Sequence, residues 1–126
     1  MVLDTKPATE KTILIVEDDA ATGELLCLFL SEETPHRAIL VPDGFQALNV
    51  IKDITPDLFL LDYRLPRMNG KELYNQLHAT QGLEHIPTIM TSTNALEQET
   101  EDPNVTLCSK RFDLDELLTM VEKLLA

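Results

Sequence analysis

Apolar positions along this chain follow two alternating rhythms. Short apolar or threonine-interrupted runs recur at 13–16, 38–41, 58–61, 87–91 and 105–108. Each is too brief for a buried helix and is bounded by charges or turn formers, which predicts strands, the central ones covered on both faces. Between them lie longer stretches in which apolar residues return every three or four positions, the signature of amphipathic helices. Residues 20–33 place Leu25, Leu26, Phe29 and Leu30 on one wide stripe, and Pro35 ends it. The last stretch carries Leu114, Leu117, Leu118, Val121, Leu124 and Leu125. Asp43 with Gln46, and Asp113 with Glu116, are spaced as capping boxes; the first opens a helix with Ala47, Leu48 and Ile51 inward, the second opens the last helix. Another helix, from about 70 to 79, turns Leu73, Tyr74 and Leu77 inward. Residues 94–104 are acidic and nearly free of apolar side chains, so a helix between the fourth and fifth strands is expected to be short or poorly ordered. Residues 1–10 are polar and aperiodic and predict a flexible leader, with one folded domain over 11–126.

Five strands alternating with four or five helices predict an α/β fold, a doubly wound five-stranded parallel sheet with helices on both faces and right-handed crossovers. With 126 residues there is room for one core. The formal net charge of -12 argues against binding nucleic acid, which needs a basic face, or an anionic membrane surface. Cys27 and Cys108 fall in apolar runs and read as buried reduced thiols. No stretch is long enough to span a bilayer and no signal peptide is visible, so a cytoplasmic location is expected.

The chemistry lies where the strands stop. The first run ends in Glu17, Asp18 and Asp19; the third ends in Asp62, before Pro66 and the Asn69-Gly70 pair turn the chain. The fourth ends in Thr91, Ser92 and Thr93, and the fifth in Ser109 and Lys110. The second run ends at Val41-Pro42, as suits a flank strand away from a site. In a parallel sheet these ends share one edge, where ligands bind in open α/β folds. Carboxylates so close repel unless a cation bridges them, and hard oxygen donors fit Mg²⁺. A carboxylate beside Mg²⁺ can attack a phosphoryl group, with Lys110 and Ser92 holding the phosphoryl oxygens. Asp19 reads instead as the cap of the first helix, and His36, His78 and His85 as structural or exposed.

These residues resemble the receiver domain of two-component response regulators, over essentially 11–126. The stretch I-L-I-V-E-D-D is similar to the family's first strand and acidic pair, and L-L-D-Y-R-L-P-R-M-N-G to its phosphoacceptor segment. The resemblance implies Asp62 as acceptor, Glu17, Asp18, Asp62 and the Arg64 backbone carbonyl as metal ligands, Ser92 as switch hydroxyl and Lys110 as phosphoryl-binding lysine. It implies Mg²⁺ as cofactor and, as partner, a histidine kinase or histidine phosphotransfer protein, with a downstream protein target. The expected protein is a stand-alone, single-domain receiver, a monomer or weak homodimer, catalysing only its own phosphorylation and dephosphorylation. It would pass the signal on by shape or as a phosphorelay step.

Two departures bear on this. Arg111 stands where the family has proline, predicting a trans Lys110-Arg111 bond and a displaced Lys110, because a cis non-proline peptide costs about 3 kcal/mol. Leu107 replaces an aromatic switch. Both favour, as an alternative, a pseudo-receiver that binds proteins independently of phosphorylation. An aspartyl phosphatase would want a second acid where Arg64 stands, and a flavodoxin-like carrier a phosphate loop after the first strand.

Overall fold

Strands β1 (Thr12–Val16), β2 (Arg37–Val41), β3 (Leu58–Asp62), β4 (Thr88–Ser92) and β5 (Val105–Ser109) form one sheet in the order β2-β1-β3-β4-β5. Every neighbouring pair is parallel. Helices α1 (Ala20–Glu33), α2 (Gly44–Val50), α3 (Gly70–His78) and α4 (Leu114–Leu125) pack on the two faces of this sheet. The structure is a computed structural model describing residues 10–93, 102–110 and 113–126. The leader over 1–9, the acidic stretch 94–101 and the Lys110-Arg111 peptide lie outside the described residues.

Strand alternation divides the core in two. Leu14, Val16, Phe59, Leu61 and Met90 point to one face and pack with Ala47 of α2 and Leu73, Tyr74 and Leu77 of α3. Ile13, Ile15, Leu58, Leu60 and Ile89 point to the other and meet Leu26 and Leu30 of α1 and Leu117 and Val121 of α4. One apolar run thus serves two helix layers, which is why β1 and β3 read as continuous rather than alternating. The doubly wound α/β fold is as the apolar pattern predicts. Both cysteines are free thiols, but only Cys108 is fully buried; Cys27, on the flank of α1, is half-buried.

Local signals set the helix ends. Asp19 caps α1 by accepting from the Thr22 N–H at 2.9 Å. Asp43 and Asp113 accept from the N–H of Gln46 and Glu116, each at 2.8 Å. The full reciprocal box stands at a place not anticipated, where Asn69 and Glu72 open α3. α1 differs from expectation in its faces. Gly23, Leu26 and Leu30 are buried, but Leu25 and Leu28 are 53% and 58% exposed, so the helix is apolar on its outer side as well. Gly23 lets α1 lie close on β2, since a Cβ there would stand 2.8 Å from Leu40 Cδ1. On α4, Met120 rather than Leu118 joins the core contacts.

Candidate functional site

Parallel pairing brings the ends of β1, β3, β4 and β5 to one rim, and β2 forms the far edge beside β1. Register sets how the rim lines up. Val16 pairs with Leu61, Asp62 with Thr91, and Ser92 with Ser109. Glu17 and Lys110 each come one residue past their strand, and backbone bonds hold both there: Glu17 N–H to Val41 O at 3.1 Å, and Lys110 N–H to Ser92 O at 2.7 Å.

The side chains then meet. Lys110 Nζ lies 2.8 Å from Glu17 Oε1 and 2.9 Å from Asp62 Oδ2. Asp62 Oδ1 accepts from the Arg64 N–H at 3.2 Å, and Glu17 Oε2 from the Asp19 N–H at 3.1 Å. Glu17 and Asp62 are only 4% and 3% exposed, whereas Asp18 sits at the exposed mouth. Glu17, Asp18 and Asp62 each offer an oxygen, and those oxygens lie within 4.8 Å of one another. The displacement of Lys110 expected from Arg111 is not found: the ammonium reaches both buried carboxylates. Burial works against its charge, but its hydrogen bonds to Glu17 and Asp62, with their negative charge, outweigh that and raise it above the ordinary lysine range.

Ser92 is buried at the end of β4 and Thr91 beside it is buried too, its hydroxyl 3.4 Å from Leu61 O; Thr93 is exposed. The loop after β3 is folded tightly against the rim. Gly70 N–H donates to Tyr63 O at 2.7 Å, and Arg67 holds a left-handed φ of 65°. Arg64 and Asp19 enter the site through backbone N–H groups, a contribution that residue type does not announce.

Glu17, Asp18 and Asp62 thus gather three carboxylates at a partly buried rim, with Lys110 bridging two of them. Such a set of hard oxygen donors fits a small divalent cation. The model of the response regulator receiver domain family matches residues 13–122. The chain belongs to this family.

Among its relatives is the DNA-binding response regulator MtrA of Mycobacterium leprae, 41% identical over 78 residues, covering 62% of this chain and 33% of that protein. The match thus spans about a third of the length of the MtrA proteins. The polar-differentiation response regulator DivK of Brucella ovis is 32% identical over 91 residues, 72% of this chain and 73% of DivK. Among solved structures, the receiver domain of the sensor histidine kinase PA1611 from Pseudomonas aeruginosa superposes with a TM-score of 0.81 at 26% identity, covering 92% of this chain and 98% of that one. That structure has a magnesium ion coordinated in its active site cleft. Receiver domains interact with histidine kinases or phosphotransfer proteins, and the fold here is of that kind.

Proposed function

We propose that Asp62 accepts a phosphoryl group from the phosphohistidine of a partner kinase or phosphotransfer protein. An Asp62 carboxylate oxygen attacks phosphorus, the P–N bond breaks with its electron pair returning to the donor imidazole, and an acyl phosphate forms on Asp62. Glu17, Asp18, Asp62 and the Arg64 backbone carbonyl would hold Mg²⁺, which when bound offsets the negative charge of the transferring group. Lys110 and the Ser92 hydroxyl bind phosphoryl oxygens, where charge accumulates in the transition state. Lys110 already touches Asp62 Oδ2, so formation of the acyl phosphate only needs it to follow the charge outward.

The observation that carries this reading is the buried pair Glu17 and Asp62 sharing the Lys110 ammonium. Buried charges are costly to maintain, and phosphoryl transfer gives this pair a use that binding alone does not require. The reading places the protein in the cytoplasm beside the kinase's catalytic parts, and none of the described helices is long and apolar enough to cross a membrane. Acetyl phosphate with Mg²⁺ should add one phosphoryl group by intact-mass spectrometry. Asp62→Asn should abolish the addition; undiminished labelling of that variant would remove Asp62 from the role.

A further inference from the structure

Away from the rim, the last residue of α3 makes an unusual pair of contacts. His78 Nδ1 lies 3.1 Å from Tyr74 O, and His78 Nε2 lies 2.8 Å from Ile86 O. Carbonyl oxygens only accept. A neutral imidazole donates from one nitrogen and presents a lone pair at the other, so one of these contacts would set lone pair against lone pair. Both are hydrogen bonds only when the ring is an imidazolium.

The ring's other neighbours are aromatic faces and, beyond Tyr74, a carboxylate. Tyr74 on α3 lies under it with ring centroids 4.0 Å apart and a 36° tilt, a face that attracts a cation. The Tyr74 hydroxyl in turn donates to the carboxylate of Asp102, in the turn before β5. Asp102 is held below the usual carboxylate range by that hydroxyl, then by the Asn104 N–H, with the His78 charge contributing. Phe59 of β3 closes the remaining side edge-on at 5.9 Å and is apolar. Among the described residues, Asp102 is thus the charged group facing His78 from the elements packed on it, and its sign is negative.

These contacts converge on the ends of β4 and β5 opposite the rim. Ile86 leads into β4 and Asp102 into β5; the two strand starts are joined by Thr88 N–H to Asn104 O at 2.8 Å, and Val105 N–H to Asp102 O at 3.1 Å closes the turn that enters β5. We infer that His78 is a proton-dependent clamp: as imidazolium it fastens α3 to the starts of β4 and β5, and on losing its proton it releases one carbonyl and loosens both strands from their tail ends. Gain or loss of that ring proton thereby sets the rigidity of the strands that carry Ser92 and lead to Lys110.

The test is amide hydrogen exchange of the whole chain from pH 5 to 8.5, corrected for intrinsic exchange, with ¹H–¹⁵N spectra of the His78 ring recorded alongside. Loss of the second ring proton should coincide with roughly tenfold faster exchange at Thr88 and Val105, the worth of one hydrogen bond to a charged group. His78→Phe, which keeps the stacking and donates nothing, should exchange fast at both ends of the range. Proton loss with no change at Thr88 and Val105 would overturn the inference. So would a ring carrying a single proton throughout, a result the wild-type chain yields even if the variant does not fold.

Discussion

Lys110 stands between two carboxylates that are almost wholly removed from water, and its own side chain is 23% exposed. Replacing it by methionine keeps the stem and deletes the charge, leaving Glu17 and Asp62 to repel each other in a poorly solvated place. Breaking a buried pair in this way costs about 3–5 kcal/mol in general, and partial exposure brings the expectation here to about 2 kcal/mol. The pH dependence has a definite sign. The Lys110 ammonium is raised in the folded chain, so its contribution is fully present below the ordinary lysine value of about 10.4 and fades as pH rises through the higher folded one. Urea unfolding of wild type and Lys110→Met should therefore show a gap that is constant from pH 6 to 9 and closes above about pH 10.5. A gap that widened with alkali would contradict the pairing. Asp62, Glu17 and Lys110 were legible in the sequence because each ends or follows an apolar run. The position of the ammonium was not, since Arg111 suggested displacement while register and the Lys110 N–H to Ser92 O bond decide where the side chain starts.

The joint between β3 and α3 sets the site as an element. A Cβ on Gly70 would sit 2.5 Å from Asp62 O and 2.9 Å from Tyr63 Cα, both backbone atoms that cannot swing aside. Helix α3 starts that close because Asn69 and Glu72 close a capping box around its first turn and Gly70 N–H bonds back to Tyr63 O. Gly70→Ala must therefore push the start of α3 off the end of β3. The expected cost is about 1–3 kcal/mol, the range for forcing a methyl into a packed place, and because the push falls on Asp62 itself, labelling by acetyl phosphate should slow more than unfolding stability alone accounts for. Asn69→Ala should cost about 1 kcal/mol with labelling little changed. Equal loss of labelling in the two variants would show that the helix cap, not the close approach, positions Asp62. The Asn69-Gly70 pair reads as a turn in the sequence, and it is one; that Asn69 also caps was hidden because turns and helix starts favour the same residue types. Helix α1 misled for a related reason. A stripe at spacings of three and four was present, but Leu25 and Leu28 extend the apolar surface around the helix, and spacing cannot say which side meets the sheet.

At the scale of the molecule, strand order and burial agree. β1, β3 and β4 lie in the middle and are buried on both faces, while β2 and β5 lie at the edges and keep partly exposed residues. That order also gathers the acids of β1 and β3 near the amine that follows β5, so the arrangement that buries the core is the one that assembles the site. The chain carries a formal net charge of -12, and self-repulsion of that size works against the compact state. Two effects of Mg²⁺ must then be separated. Any salt screens the general repulsion, whereas a cation bound by Glu17, Asp18 and Asp62 stabilises the folded chain by mass action, about 2.7 kcal/mol when its concentration is about a hundred times its dissociation constant. Thermal unfolding in Mg²⁺ should exceed that in NaCl of matched ionic strength by several degrees, and chelation should return it to the NaCl value. Asp18→Asn removes an exposed carboxylate from the mouth of the site without touching the Lys110 pairs. It should keep the NaCl response and lose most of the Mg²⁺ increment. If wild type and Asp18→Asn gained equally from Mg²⁺, the ion would be acting on the overall charge, and the three acids would not form its site.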